Sequence, residues 1–408
     1  LRIWRPEPPG KPDSCNNAGI LVLLLLPLIN AQGRPKEISF TTPNSVLSDY
    51  SAHAPYEAPQ WKDTNNDGDA SDVGEKRFPV TYMKDAFVVV GSATFVFDQT
   101  FALPNPDSIV SATVFGSGPD NDSFQKDVTT VGHEITVGQM TSSDKLPATV
   151  KFYNPYAIAW ILDVECLDYE QHITYTYSLG TTDYRMYVMF ASTVEVYETL
   201  GELTCGAADG KSQLSEIQGA IWDTVFSGPA NPRRKPLDGY NAPDNQKLKY
   251  RGVSTPDAED TGELLATGDG ICGAWGQFLV DAWGKHGVSS YTVTVVPTSS
   301  HVSFIVRNLS LDPGAIPDGQ GYYNVSNSLL AADGIPGQNM DTPASKWFID
   351  HCLVKAPSFS NVFFDPSYGE VFPLLDDFAV GAVWGMVKEV SDELWIKPGA
   401  SAANFDVL

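Results

Sequence analysis

The chain has 408 residues, of which 42% are hydrophobic and 11% aromatic, enough to bury cores in two or three domains and to exclude wholesale disorder. Its 26 basic residues face 50 acidic ones, a net charge of −24. Phosphate backbones and anionic lipid surfaces repel such a surface, so nucleic acid is excluded as a partner.

The first element in chain order is the apolar run Ile20–Ala31, preceded by Arg2, Arg5 and Lys11. It is too short to span a bilayer, which takes about 20 residues. Basic residues, an apolar stretch and a small residue at its end predict a secretory signal over 1–31, cleaved near Ala31. The mature form is then secreted or held at a cell surface by bacterial-type export, with no membrane insertion. Of five cysteines, Cys15 leaves with this leader, while Cys166, Cys205, Cys272 and Cys352 remain. Four in so long a chain do not make a disulfide scaffold, although Cys166 and Cys205 are candidates for a single bridge.

Residues 32–85 are rich in Pro, Asp, Asn and Ser and predict a loop-rich segment. Within it, Asp63, Asn65, Asp67 and Asp69 alternate around Gly68, the sixth position of the run, with Asp72 and Glu75 following. Oxygen side chains at alternate positions, with glycine at the turn, are what a calcium loop uses to replace water around a hard cation. Gly74 holds the twelfth position and Glu75 comes one place late, so the run departs from a regular EF-hand loop. Structural Ca2+ is the expectation; nothing calls for an organic cofactor. From 86 to 200, short β-rich runs such as Ala86–Val90, Ala93–Phe97, Ile109–Val114, Val150–Tyr153 and Arg185–Phe190 alternate with turn clusters. That spacing predicts a β-sandwich of immunoglobulin-like type.

The texture changes at about 201. Leu214–Phe226 has helical periodicity and ends at Gly228-Pro229. A polar loop follows, then a helix from Cys272 to about Lys285, closed by Gly287. Tyr291–Val296 and Val302–Val306 predict strands, and a Gly/Asn/Ser-rich insertion fills 308–346. Strands around His351 and Asp365 come last. Helices first and antiparallel-looking strands after them make residues 201–408 an α+β domain.

Cys272 stands in Gly268-Asp269-Gly270-Ile271-Cys272-Gly273-Ala274-Trp275, glycines before it and an apolar helical run after it. A thiol in the first turn of a helix meets free N–H groups and the positive end of the dipole, which favour a thiolate. His351 ends Phe348-Ile349-Asp350-His351, and Asp365 stands in Phe363-Phe364-Asp365-Pro366-Ser367-Tyr368-Gly369. Cys, His and Asp in that order can supply a nucleophile, its base and the group that orients the base.

These three blocks resemble the signature of the transglutaminase-like superfamily, which includes transglutaminases and related bacterial cysteine proteases. The resemblance covers roughly 205–395. It implies a papain-like transglutaminase core in which the cysteine caps a helix packed on a sheet that carries His and Asp. It also implies that Cys272 is the nucleophile, His351 the base and Asp365 its orienter. The backbone N–H of Cys272 is one oxyanion donor, and Tyr250 or Trp222 is the candidate second. The Cys–His separation, 79 residues, is long for the family, and the 308–346 insertion accounts for it.

Four other histidines compete weakly. His301 lies 29 residues after Cys272 but lacks an Asp-Pro partner. His286 suits a dipole partner at the end of the cysteine helix, and His133 and His172 lack a partner pattern. Trp275, Trp283 and Cys352 are expected in the core. Two functions are consistent with these residues. One is a secreted thiol enzyme acting on peptide or glutamine amide bonds of a protein or peptide substrate, by hydrolysis or acyl transfer. The other is a catalytically idle, calcium-stabilised surface or adhesion module that keeps the same fold as scaffold.

Overall fold

The computed structural model describes residues 33–41, 47–48, 56–97, 106–129, 131–168, 170–191, 196–227, 248–250, 258–306, 317–324, 335–340, 346–357 and 362–408. The expected leader 1–31, Cys15 and most of the 308–346 insertion lie outside them.

The N-terminal part is built from β1 (Gly33–Phe40), β2 (Val80–Met83), β3 (Phe87–Phe97), β4 (Ile109–Ser117), β5 (Ser123–Asp127), β6 (Glu134–Val137), β7 (Met140–Lys145), β8 (Lys151–Asp168) and β9 (Gln171–Met189). One sheet runs β7-β3-β1 and continues through the short strands Trp61–Lys62 and Lys76–Arg77, with β6 also on β3. The other runs β2-β9-β8-β4-β5. Every pairing in them is antiparallel except β2 on β9.

The sheets share one core. On β8, alternation turns Tyr156, Ile158, Trp160, Leu162 and Val164 inward, all at most 1% exposed. Phe95 of one sheet meets Trp160 of the other at 5.5 Å, and Phe40 meets Tyr184 edge-on at 4.6 Å. Each such side chain contributes roughly 1.5–3 kcal/mol on burial.

Within the expected loop-rich segment 32–85, β1 lies inside the first sheet and β2 on the edge of the second, with mostly irregular backbone over 56–79. Cys166 of β8 belongs to this shared core, whereas Cys205 belongs to the next one, and the candidate bridge between them is not formed.

The C-terminal part begins with α1 (Glu198–Ala207) and α2 (Leu214–Ile221), the latter extended by a π-turn over Trp222–Phe226. Next come α3 (Thr261–Thr267), α4 (Cys272–Gly284), β10 (Tyr291–Pro297) and β11 (Ser303–Val306). Then follow β12 (His351–Lys355), β13 (Phe363–Asp365), β14 (Glu370–Phe372), α5 (Leu375–Ala382), β15 (Val383–Val390), β16 (Glu393–Pro398) and β17 (Phe405–Val407). One antiparallel sheet runs β14-β13-β12-β10-β17; a second has β16-β15-β11 at its centre. The whole is a strand-rich α+β structure.

The first of these sheets separates two cores. Its helix side holds Cys352 and Val354 with Trp275, Phe278 and Trp283 of α4. Its other side holds Leu353 and Phe363 with Phe304 of β11 and Phe378 of α5. α4 lies close on β12 because Gly276 presents no side chain: a Cβ there would sit 2.8 Å from the Cys352 sulfur.

Candidate active site

Local sequence sets the start of α4. Asp260 caps α3 by accepting the N–H of Glu263 at 2.9 Å, a contact that contributes about 1 kcal/mol. Gly268 ends that helix in the left-handed conformation, φ +83°. The chain then runs as the strand Asp269–Gly270, parallel to Lys249–Tyr250, and turns into α4 at Cys272. Trp275 and Trp283, both fully buried, anchor α4 by donating to the Lys249 carbonyl (3.2 Å) and the Gln218 carbonyl (3.3 Å). No side chain caps α4 and its first turn holds no acidic residue, so Cys272 sits among uncompensated N–H donors.

β12 begins with His351 facing away from the helices, while Cys352 faces them. β13 does the same with its neighbours. Phe364 packs into Trp222 and Trp283, each at 4.9 Å, and Asp365 turns to the His351 side. The Asp365 Oδ2 lies 2.9 Å from the His351 Nε2. Its Oδ1 accepts the N–H groups of Ser367 (3.1 Å) and Tyr368 (3.3 Å). Pro366 between them has no N–H to offer, so the Asp-Pro-Ser turn folds back onto the carboxylate that precedes it.

With Nε2 engaged by Asp365, Nδ1 is the ring nitrogen left for Cys272, and it carries no hydrogen bond to a described residue in the structure. Burial by itself raises the thiol. The neighbouring His351 imidazole and its charge, with the backbone N–H of Cys352, outweigh it and hold Cys272 below the usual thiol value. Burial by itself lowers His351. The charge and hydrogen bond of Asp365, with the neighbouring thiol, reverse this and lift the imidazole to about 10. Both shifts run in the sense that moves a proton from sulfur to ring. All three residues are enclosed: Cys272 is 7% exposed, His351 3% and Asp365 2%.

Sequence reasoning missed the ring cage around the imidazole. Phe348 meets it edge-on at 5.6 Å, Tyr368 tilts against it at 5.8 Å and Phe378 lies parallel to it at 6.2 Å. Phe348 and Tyr368 stood inside the two short blocks, but nothing local marks Phe378, which arrives on α5.

Of the two oxyanion candidates, Tyr250 is brought to this region. It is fully buried, beside Gly270, with its ring 5.2 Å from Tyr368. Trp222 stacks on Phe226 and meets Phe364 edge-on on the helix side of the sheet. His301 bonds through Nε2 to the Tyr322 hydroxyl (3.0 Å) and through Nδ1 to Ser300 (3.0 Å), so both its nitrogens are engaged. His286 is not a charged dipole partner. It is fully buried without a hydrogen bond from either ring nitrogen, and burial pushes it down to about 3.

The acidic loop closes on itself. Asp63, 1% exposed, accepts the N–H groups of Asn66 (2.5 Å) and Gly68 (2.7 Å). Asn65 donates to Asp67 (3.1 Å) and Asp72 (2.7 Å), the Asp67 carboxylate accepts from the Asp69 N–H, and Glu75 accepts from Thr64 and Asp72. Burial raises the Asp63 carboxyl, and the charges of Glu75 and Asp67 raise it further. Among the described residues, no three His, Cys, Asp or Glu side chains gather to hold a metal ion. No helix among them is long and apolar enough to cross a membrane.

No protein-family model matches the chain, and a search of curated proteins also finds no match.

Proposed function

We propose that this protein is an exported thiol enzyme that acts on carboxamide bonds of a protein or peptide. The observation that carries the reading is the His351 imidazole, tied through Nε2 to Asp365 and left with Nδ1 for Cys272. In the resting pair the proton is on the ring and the charge on sulfur. The thiolate attacks the carbonyl carbon, and the oxyanion forms near the N–H of Cys272 and the Tyr250 side chain. Collapse of that adduct expels ammonia or an amine, which takes the proton from His351 and leaves a thioester on Cys272. Water or an amine, deprotonated by His351, then attacks the thioester and releases sulfur. Water gives hydrolysis and an amine gives transfer. In this reading the β1–β9 part is an immunoglobulin-like sandwich and the remainder a transglutaminase-like core.

The test is alkylation of Cys272 by iodoacetamide across pH, read by peptide mass spectrometry. An ordinary thiol, near ~8.5, is almost wholly protonated at pH 6. Cys272 is expected to label at pH 6 at least about tenfold faster than the other cysteines, and His351→Ala is expected to remove that excess. Labelling confined to alkaline pH and indifferent to His351 would leave the second reading, an idle surface module, which the 7% exposure of the thiol favours.

We propose a structural Ca2+ for the acidic loop, whose carboxylates do not gather around a common point without it. Its donors are hard oxygens, and Asp63 is buried among like charges that a divalent ion would offset. Asp63, Asn65, Asp67, Asp69, Asp72 and Glu75 would hold it.

A further inference from the structure

We infer that the cavity beside His351 is the subsite for a large apolar side chain of the substrate; this rests on the thiol-enzyme reading above. The cavity measures about 420 Å³, and the His351 imidazole and Asp365 form part of its wall. That volume lies within the range of ligand sites, about 300–1000 Å³, and is more than enough for one bulky side chain. The facing walls are Phe304, Phe372, Phe378 and Ala382. Phe378 is the ring that lies parallel to the imidazole, so one aromatic wall serves both the catalytic histidine and the cavity. The exposed carboxylate of Glu370 completes the lining. A phenyl or branched aliphatic group there exchanges water for these rings, which is favourable in proportion to the apolar area covered. An acidic group would meet Glu370 and a net charge of −24 and is repelled. The substrate class is therefore an amide with an aromatic or large aliphatic residue next to the reacting carbonyl. Occupation would also keep water off the His351–Asp365 pair.

The cavity can be read without chemistry. The full chain carrying Cys272→Ala is titrated calorimetrically with the N-acetyl amides of Phe, Leu, Ala and Glu. The Phe and Leu amides are expected to bind at least about tenfold tighter than the Ala amide, and the Glu amide weakest. Ala382→Phe in the same background is expected to erase that advantage; Gly381→Leu is a second filler, with circular dichroism reporting whether each variant folds. Equal affinity for the Phe and Ala amides, or an advantage that survives a folded filler, overturns the inference. The iodoacetamide experiment separates this outcome from failure of the enzyme reading. Acid-pH labelling of Cys272 without an apolar advantage leaves a thiol enzyme and no subsite. An apolar advantage without acid-pH labelling leaves a ligand site and no thiol enzyme.

Discussion

At the scale of single residues, Asp365 does more than orient a ring. It is the charge that lets a fully enclosed imidazole stay protonated. The folded value of His351, about 10, lies above the ordinary ~6.5. The pair therefore contributes its full stability below pH ~6.5, and that stability is lost as pH rises toward 10. Asp365→Ala leaves the imidazole buried without its counter-charge, which should cost about 3–5 kcal/mol at pH 6 and flatten the pH dependence between 6.5 and 10. Urea midpoints of both proteins across that range measure it. A variant within 1 kcal/mol of the parent at pH 6 would show that the pair is not coupled as drawn. Asp365 was marked in the sequence by Pro366 and Ser367. Its partner nitrogen was not, because the choice between Nδ1 and Nε2 depends on which face of β12 the ring leaves.

At the scale of elements, the fit of α4 against β12 positions the thiol. Gly276 lets the helix approach until a Cβ would touch the Cys352 sulfur at 2.8 Å and Thr292 at 3.1 Å. Gly276→Val should push α4 off the sheet, cost about 1–3 kcal/mol through overpacking and slow acid-pH alkylation of Cys272. A thermal melt and the labelling rate check the two halves of that statement. Unchanged labelling in a destabilised variant would separate packing from reactivity. The acidic loop, spanning 63–75, belongs to the same scale. If Ca2+ holds it, EDTA should lower the melting midpoint by several degrees and Asp67→Ala should abolish the EDTA effect, whereas a melt indifferent to EDTA removes the ion from the account.

The α4 helix was legible in the sequence from Cys272 to about Lys285, because an apolar run between glycines is a local signal. β8 and β9 were not. Only their ends, near Val150–Tyr153 and Arg185–Phe190, read as strands, although the middles also carry β-formers such as Ile158, Trp160 and Val164, and Ile173, Tyr175 and Tyr177. Such strands are held by cross-strand pairing and one buried face. β1 hid in a Pro- and Lys-bearing stretch for the same reason.

At the scale of the whole molecule, the strand-rich part and the helical part share side chains. Val150, Tyr187 and Met189, from the segment around β8 and β9, lie in the same core as Leu200, Ile221 and Trp283. Arg185 of β9 pairs with Glu198 and Glu202 of α1. Tyr187, fully buried against Phe152 at 5.3 Å, is at the centre of that junction. Tyr187→Ala should cost about 3–5 kcal/mol and lower a single calorimetric transition. Two resolved transitions in the parent protein, only one of them shifted, would mean that the parts unfold independently.

The sequence by itself determined the chemistry on offer. A cysteine opening a helix, a histidine opening a strand and an aspartate before Pro-Ser are local patterns with local causes, as are the helix after Cys272 and the turn of the acidic loop. Tertiary structure alone decided the rest. It left Cys166 and Cys205 unbridged in separate cores, made His286 a neutral buried ring, put Phe378 over the imidazole and opened the cavity beside it. These follow from which faces meet across elements tens of residues apart, and burial and charge neighbours, unlike periodicity, exist only once the chain has closed on itself.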